Sequence, residues 1–296
     1  MADNFYWLGV FLALLAGSIT QSGSLLQKKA VNEVSEETEF MRNLVRKPVW
    51  ILGVILSFGI SSIFYLTAQI FIGPALIPGL MAFGLVVLTL GSIKILGEKL
   101  KKEEIIGILL MILGTFILSF SGLSIDITET NLLEFEFAIR TYIFTSAILV
   151  LSLLCYIFQR KYKKFKGILL AILSGFMFSL SNFWVSQLMA VITDVLSGFF
   201  ILEQLIIFIV SIIFLILANI VGLATIQQAF RVAQASNMIP IQQVPTLMLP
   251  VFIYFLVFLM IPPNIISIIF LFCGSILILT SSFLLGKRSA RMEDIK

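Results

Sequence analysis

The residues best suited to chemistry lie in one short stretch, "SNMIPIQQVPTLMLP" at 236–250. It places two adjacent amides, Gln242 and Gln243, and the hydroxyl of Thr246 among Pro240, Pro245 and Pro250. A proline inside a helix removes one N–H, so Pro245 and Pro250 free the carbonyls of Ile241 and Thr246. Pro240 is expected where a helix starts, and there its missing N–H costs nothing. Gln242 and Thr246 are four apart and share a helix face, with Gln243 beside it. The product is a cluster of neutral oxygens. Hard cations such as Mg²⁺ favour oxygen ligands, and Mg²⁺ keeps several of its waters. The same oxygens suit the polar groups of a small metabolite. Equally open is a kinked packing helix whose amides bond to neighbouring helices.

These groups must be positioned inside a membrane. The chain has 296 residues, of which 59% are hydrophobic and 12% charged, with a mean hydropathy of +1.10. A soluble domain cannot hide that much apolar surface from water. Twenty-eight phenylalanines and no histidine suit a lipid-facing chain, and the missing imidazole removes a common metal ligand and catalytic base. Cys155 and Cys273 sit in apolar runs and read as packing residues. The first apolar run is too long for a signal-peptide core and has no basic residue before it, so it is expected to be a retained span.

A spanning helix needs ~20 apolar residues, and nine runs qualify: 5–27, 49–72, 75–96, 104–122, 139–159, 167–190, 200–226, 239–260 and 264–286. Lys and Arg stay on the cytoplasmic side of short loops. Nineteen of the 20 basic residues fall in alternate loops: those after spans 1, 3, 5 and 7 and the tail after span 9; Arg140 is the exception. That alternation predicts an outer N-terminus and a cytoplasmic C-terminus. The outer side gathers Asp3, Asp126, Glu129, Glu134, Glu136, Asp194 and Glu203, which either solvate loops or concentrate cations. Lys28 and Lys29 read as topological anchors, with a contact to headgroups or substrate as the sharper alternative.

The chain also partly matches itself. Gly107, Gly114 and Ser121 meet Ser267, Gly274 and Ser281 at an offset of 160; Gly17 meets Gly175 at 158; Pro78 meets Pro240 at 162. Small residues every seven positions form a seam that lets helices approach closely in a membrane. The expected fold is therefore all-α and integral to the membrane, with nine transmembrane helices arranged as two inverted four-helix repeats (spans 1–4 and 6–9) joined by span 5. The corresponding segments are 1–122, a linking region at 123–165, 166–286 and a short basic tail at 287–296. Inverted repeats are typical of secondary transporters, whose substrate site lies near the midplane. The remaining candidate ligands are polar residues on the repeat helices. Gln21 and Ser24 lie on span 1, Tyr65 and Gln69 on span 2, Asn182 and Gln187 on span 6, and Asn219 on span 7. Intramembrane amides also serve as interhelical glue, worth ~0.6 kcal/mol on average. Glu203, at the outer start of span 7, marks an ion pathway if membrane-embedded and is merely solvated at headgroup level. Pro78 is the helix break of the first repeat.

Several motifs carry a family resemblance. "LIPG" at 76–79, "GEKL" at 97–100 and "IIGILLMILGTFIL" at 105–118 resemble the EamA-type half of the drug/metabolite transporter superfamily. More narrowly, "GSLLQKK" at 23–29, "KPVWILG" at 47–53 and "QQAFRVAQASNMIPI" at 227–241 resemble the NIPA-type magnesium transporter family, which nine spans also suit. "IFIGPALIP" at 70–78 departs from that family's more aromatic, alanine-rich form. The resemblance implies transport of magnesium or a related divalent cation without ATP hydrolysis. The wider superfamily offers an alternative: export of a small organic solute by proton coupling or exchange, with Trp184, Tyr65 and Phe183 as stacking surfaces. No cofactor and no nucleic-acid partner is expected, and a homodimer stays open. The expected site is an integral membrane, the cell membrane. With no histidine, no metal-ligand cluster and no nucleophile–base pair, an enzyme is not expected.

Overall fold

Apolar runs this long leave the backbone one way to satisfy its own hydrogen bonds in lipid, which is to coil. A computed structural model describes residues 2–34, 39–72, 76–123, 134–198 and 200–293, with side chains from Phe5 to Lys287 within them. Asp126 and Glu129 lie outside the described residues, as does the side chain of Asp3. All regular structure among the described residues is helical. The helices are α1 (Ala2–Asn32), α2 (Phe40–Leu44), α3 (Pro48–Val54), α4 (Ser61–Ile72), α5 (Ile77–Met81), α6 (Gly84–Lys94), α7 (Lys102–Ser119), α8 (Phe135–Lys161), α9 (Lys166–Ser197), α10 (Leu202–Val232), α11 (Ala235–Leu256) and α12 (Ile265–Glu293).

Among the described residues, eight segments are long and apolar enough to cross a membrane: Phe5–Asn32, Pro48–Ile72, Ile77–Lys94, Phe135–Lys161, Lys163–Ser197, Leu202–Val232, Ala235–Leu256 and Ile265–Lys287. The remaining expected span, 104–122, is α7. That helix is 18 residues long and starts Lys102-Glu103-Glu104, so composition alone does not mark it as a span. Large apolar side chains such as Ile143, Leu153, Ile213 and Phe283 are exposed along these helices. In water they would be a liability; in a bilayer they face the tails.

The chain divides into two compact units. The first comprises Met1–Leu123, Gln227–Ile241 and Pro262–Lys296. Here α1 packs against α3, α4, α5 and α6, and α7 packs along α12. Glycines set how close these helices come. A Cβ on Gly17 would lie 2.2 Å from the Met81 carbonyl oxygen. A Cβ on Gly114 would lie 3.0 Å from Gly274 O, and one on Gly274 2.8 Å from Gly114 O. Ser281 Oγ reinforces the α7–α12 seam by donating to Gly107 O at 2.6 Å. Between α3 and α4 the backbone widens into a π-helical stretch, Ile55–Ile60. Such bulges re-aim side chains. This one lets Ser57 Oγ donate to Thr20 O at 3.0 Å, and Ser61 just beyond it donates to Ala16 O.

The second unit comprises Ser124–Ile226 and Gln242–Ile261. Its core is aromatic. Trp184 stacks on Phe214 at 4.8 Å and 7°, and Phe144 meets Phe183 edge-on at 5.7 Å. Helix α9 stops where Gly198 turns left-handed at φ 80°.

Candidate functional site

In the second unit, α11 rests on α9 through a glycine. A Cβ at Gly175 would come within 2.3 Å of Gln242 O and 3.0 Å of Pro245 Cγ. This approach brings the Gln242 amide to Ser174: Nε2 donates to Ser174 Oγ at 3.0 Å, and Ser174 Oγ donates to Gly222 O at 2.7 Å. Thr246 Oγ1 donates to Gln242 O at 3.2 Å. Gln243 and Thr246 are half-buried beside it. Asn219 donates to Ser181 Oγ at 2.5 Å and to Leu215 O at 2.7 Å. The structure thus joins Gln242 with Thr246, and Asn219 with Ser181. Asn182 is exposed and stands apart from these bonds. Glu203 is exposed in the first turn of α10.

The first unit holds the other expected ligands. Gln21 is buried beside Gly84, where its Cγ would lie 3.0 Å from an added Cβ, and its Oε1 has no partner. Ser24 donates back to Thr20 O at 3.1 Å. Tyr65 packs against the Ala13, Ala68 and Ile77 cluster, and Gln69 is half-buried one turn on. Pro78 lies in the first turn of α5, where its missing N–H is harmless.

Pro240 does not start a helix. Helix α11 begins five residues earlier, at Ala235. All three prolines are therefore interior, and Pro240 also leaves Ser236 O without its i+4 donor. The physical reason is Glu98. Its carboxylate accepts from Ala235 N at 2.8 Å, Ser236 N at 3.2 Å and Ser236 Oγ at 2.6 Å, capping the helix before the proline is reached. Gly97, left-handed at φ 67°, makes the turn that delivers Glu98.

Glu98 belongs to a buried polar cluster whose roles the sequence reading missed. Lys28 is buried, not an exposed anchor like Lys29. Its Nζ donates to Phe230 O and, at 2.9 Å, to Ala233 O at the end of α10. Glu104 Oε1 accepts from Asn237 Nδ2 at 2.7 Å, while Glu104 Oε2 accepts from Lys101 N at 2.7 Å. Gln227 Nε2 donates to Gln27 Oε1 at 2.5 Å, and Gln27 Nε2 reaches Ser57 Oγ at 3.2 Å. A cation sits on the negative end of α10 and an anion on the positive end of α11, the favoured sense for each dipole. Part of the signal was in the motifs: Gln27 and Lys28 belong to "GSLLQKK", Glu98 to "GEKL", and Gln227, Ser236 and Asn237 to "QQAFRVAQASNMIPI", whereas Ser57, Lys101 and Glu104 lie outside them. Among the described residues, no group of three or more His, Cys, Asp or Glu converges as a metal site.

Membrane-length helices, lipid-facing side chains and amides on a proline-rich but continuous helix define a polytopic integral membrane protein. The chain belongs to the NIPA magnesium transporter family, whose family model, "Magnesium transporter NIPA", matches residues 4–291. No curated protein and no solved structure matches it.

Proposed function

We propose that this protein carries Mg²⁺ or a related divalent cation across the cell membrane without hydrolysing ATP, and that it has no enzymatic activity. The observation that carries this reading is family membership across residues 4–291. The chemistry of α11 is compatible with it. Three interior prolines leave carbonyls without their helical donors next to Gln242, Gln243 and Thr246, and neutral oxygens suit a cation that keeps part of its hydration shell. We place the cation path along this stretch. The topology we propose has nine spans, counting α7, with the N-terminus outside and the C-terminus cytoplasmic. Two contacts support an inverted repeat. Gly17 and Gly175, 158 apart, each take a carbonyl of the third helix of their own repeat, Met81 or Gln242. Gly114 and Gly274, 160 apart, face each other reciprocally.

Export of a small organic solute by proton coupling or exchange has less behind it. Of its expected stacking surfaces, Trp184 and Phe183 are buried, and Trp184 is stacked on Phe214.

The deciding experiment is Mg²⁺ influx into sealed proteoliposomes with a trapped indicator, for the wild type and for Gln242→Ala with Gln243→Ala. Saturable influx lost in the double variant supports both function and site. Influx unchanged by the substitutions keeps the function and removes the site. No influx by correctly inserted wild type overturns the magnesium reading in favour of the exporter.

A further inference from the structure

Many hydroxyls in these helices follow one pattern: they donate to the carbonyl one turn back. Thr115 does so to Met111 O at 2.7 Å, Thr225 to Val221 O at 2.8 Å and, on α8 itself, Ser152 to Ile148 O at 2.8 Å. Thr141 and Thr145, on the same buried face of α8, break it. Both hydroxyls are buried without a hydrogen-bond partner. So are Trp184 Nε1 and Gln187 Nε2 on α9 and Ser211 Oγ on α10. Relative exposure is 5% for Thr141, 3% for Thr145, 2% for Trp184 and Gln187, and 0% for Ser211.

Ring contacts align these groups on neighbouring turns of the second unit. The rings of Tyr142 and Trp184 are 6.1 Å apart, and those of Phe144 and Phe183 5.7 Å apart, so α8 and α9 run antiparallel there. The same pairing sets Thr141 beside the turn carrying Gln187, and Thr145 within a turn of Trp184. Ser211 lies one turn before Phe214, which stacks on Trp184. Each orphaned group costs ~1–3 kcal/mol if nothing satisfies it. Five on neighbouring turns are more than a packed core tolerates.

The donors define the ligand. An indole N–H only donates, an amide NH₂ only donates, and the hydroxyl hydrogens are free to turn inward. Positive ends of dipoles repel a cation and attract an anion. Neutral donors cannot repay the desolvation of a multiply charged oxyanion, whereas a small monovalent anion is far cheaper to strip of water. We infer that Thr141, Thr145, Trp184, Gln187 and Ser211 form a binding site for a halide-class anion, chloride in a cell. The site is independent of the magnesium reading and does not use Gln242 or Gln243.

The test uses the full-length protein in detergent. Thermal unfolding is followed in chloride and in gluconate at matched ionic strength. Chloride is expected to raise the midpoint saturably by about 2 °C or more. Thr141→Val with Thr145→Val is expected to abolish that response while being at least as stable as wild type in gluconate, because it removes two orphaned hydroxyls. In a Trp7→Phe, Trp50→Phe background, bromide is expected to quench Trp184 fluorescence saturably. Equal midpoints in both salts, with no saturable quenching, overturn the inference and leave the donors to water. If the valine variant does not fold, the bromide titration of the unsubstituted threonines decides alone.

Discussion

Lys28 and Glu98 grip opposite sides of one helix junction. Lys28 holds the carbonyls that end α10, at Phe230 and Ala233, and Glu98 holds the N–H groups that begin α11, at Ala235 and Ser236. Both are buried, and each sits on the helix end of opposite sign. Lys28→Met leaves two carbonyls without their ammonium partner, and Glu98→Ala uncaps α11. Each is expected to destabilise the protein by about 2 kcal/mol or more. Glu98→Gln, which keeps one acceptor oxygen, should lie between Glu98→Ala and wild type. Chemical unfolding in mixed micelles measures the order; equal stability of Glu98→Ala and wild type would refute the cap.

The close approach at Gly175 makes a sharper demand. An added methyl meets Gln242 O at 2.3 Å, so α9 and α11 must separate. Gly175→Ala should cost about 1–3 kcal/mol and break the Ser174–Gln242 bond. Gly59→Ala is the control. Its methyl meets nothing nearer than Ile55 Cγ2 at 3.8 Å, and alanine should be neutral or stabilising by up to ~1 kcal/mol. Comparing the two variants' unfolding midpoints tests this, and similar losses at both positions would contradict the packing described.

Restoring a donor probes the proline-rich helix α11. Pro245→Ala returns an N–H that can reach Ile241 O. If that oxygen serves the cation, influx should fall by about tenfold, the effect of a ligand worth ~1.4 kcal/mol, while the fold is kept. Influx at the wild-type rate would assign the proline to packing.

The α7–α12 seam predicts non-additivity. Gly114→Ala and Gly274→Ala each push the same two backbones apart. The double variant should therefore cost less than the two singles together, by at least ~0.5 kcal/mol. Strict additivity would mean that the two positions relax separately.

The course of the chain was largely legible in its sequence, because lipid leaves little choice. The apolar run at 139–159 is α8, and that at 264–286 is α12. The junction chemistry was not legible. Lys28 and Phe230 are 202 residues apart, and a lysine beside an apolar run reads as a topology marker unless its distant partner is known. Pro240 misled for the same reason: locally it resembles a first-turn proline, and only Glu98, arriving from 137 residues away in sequence, moves the start to Ala235. The expected ligands fared unevenly. Gln242 and Thr246 share a helix turn, so spacing placed them together. Asn182 and Ser181 are neighbours pointing to different sides of α9, and only Ser181 found Asn219.

Helix α7 begins with Lys102, Glu103 and Glu104, and its glycine seam fits α12. Between the synthesis of α7 and that of α12 come, among the described residues, four α-helices, α8 to α11. Glu104 likewise waits for Asn237, in the last of those four. A nascent chain therefore keeps the α7–α12 seam open until most of the protein has been made. Substitutions that weaken the seam should therefore show first as lost protein during biogenesis and only afterwards as altered transport.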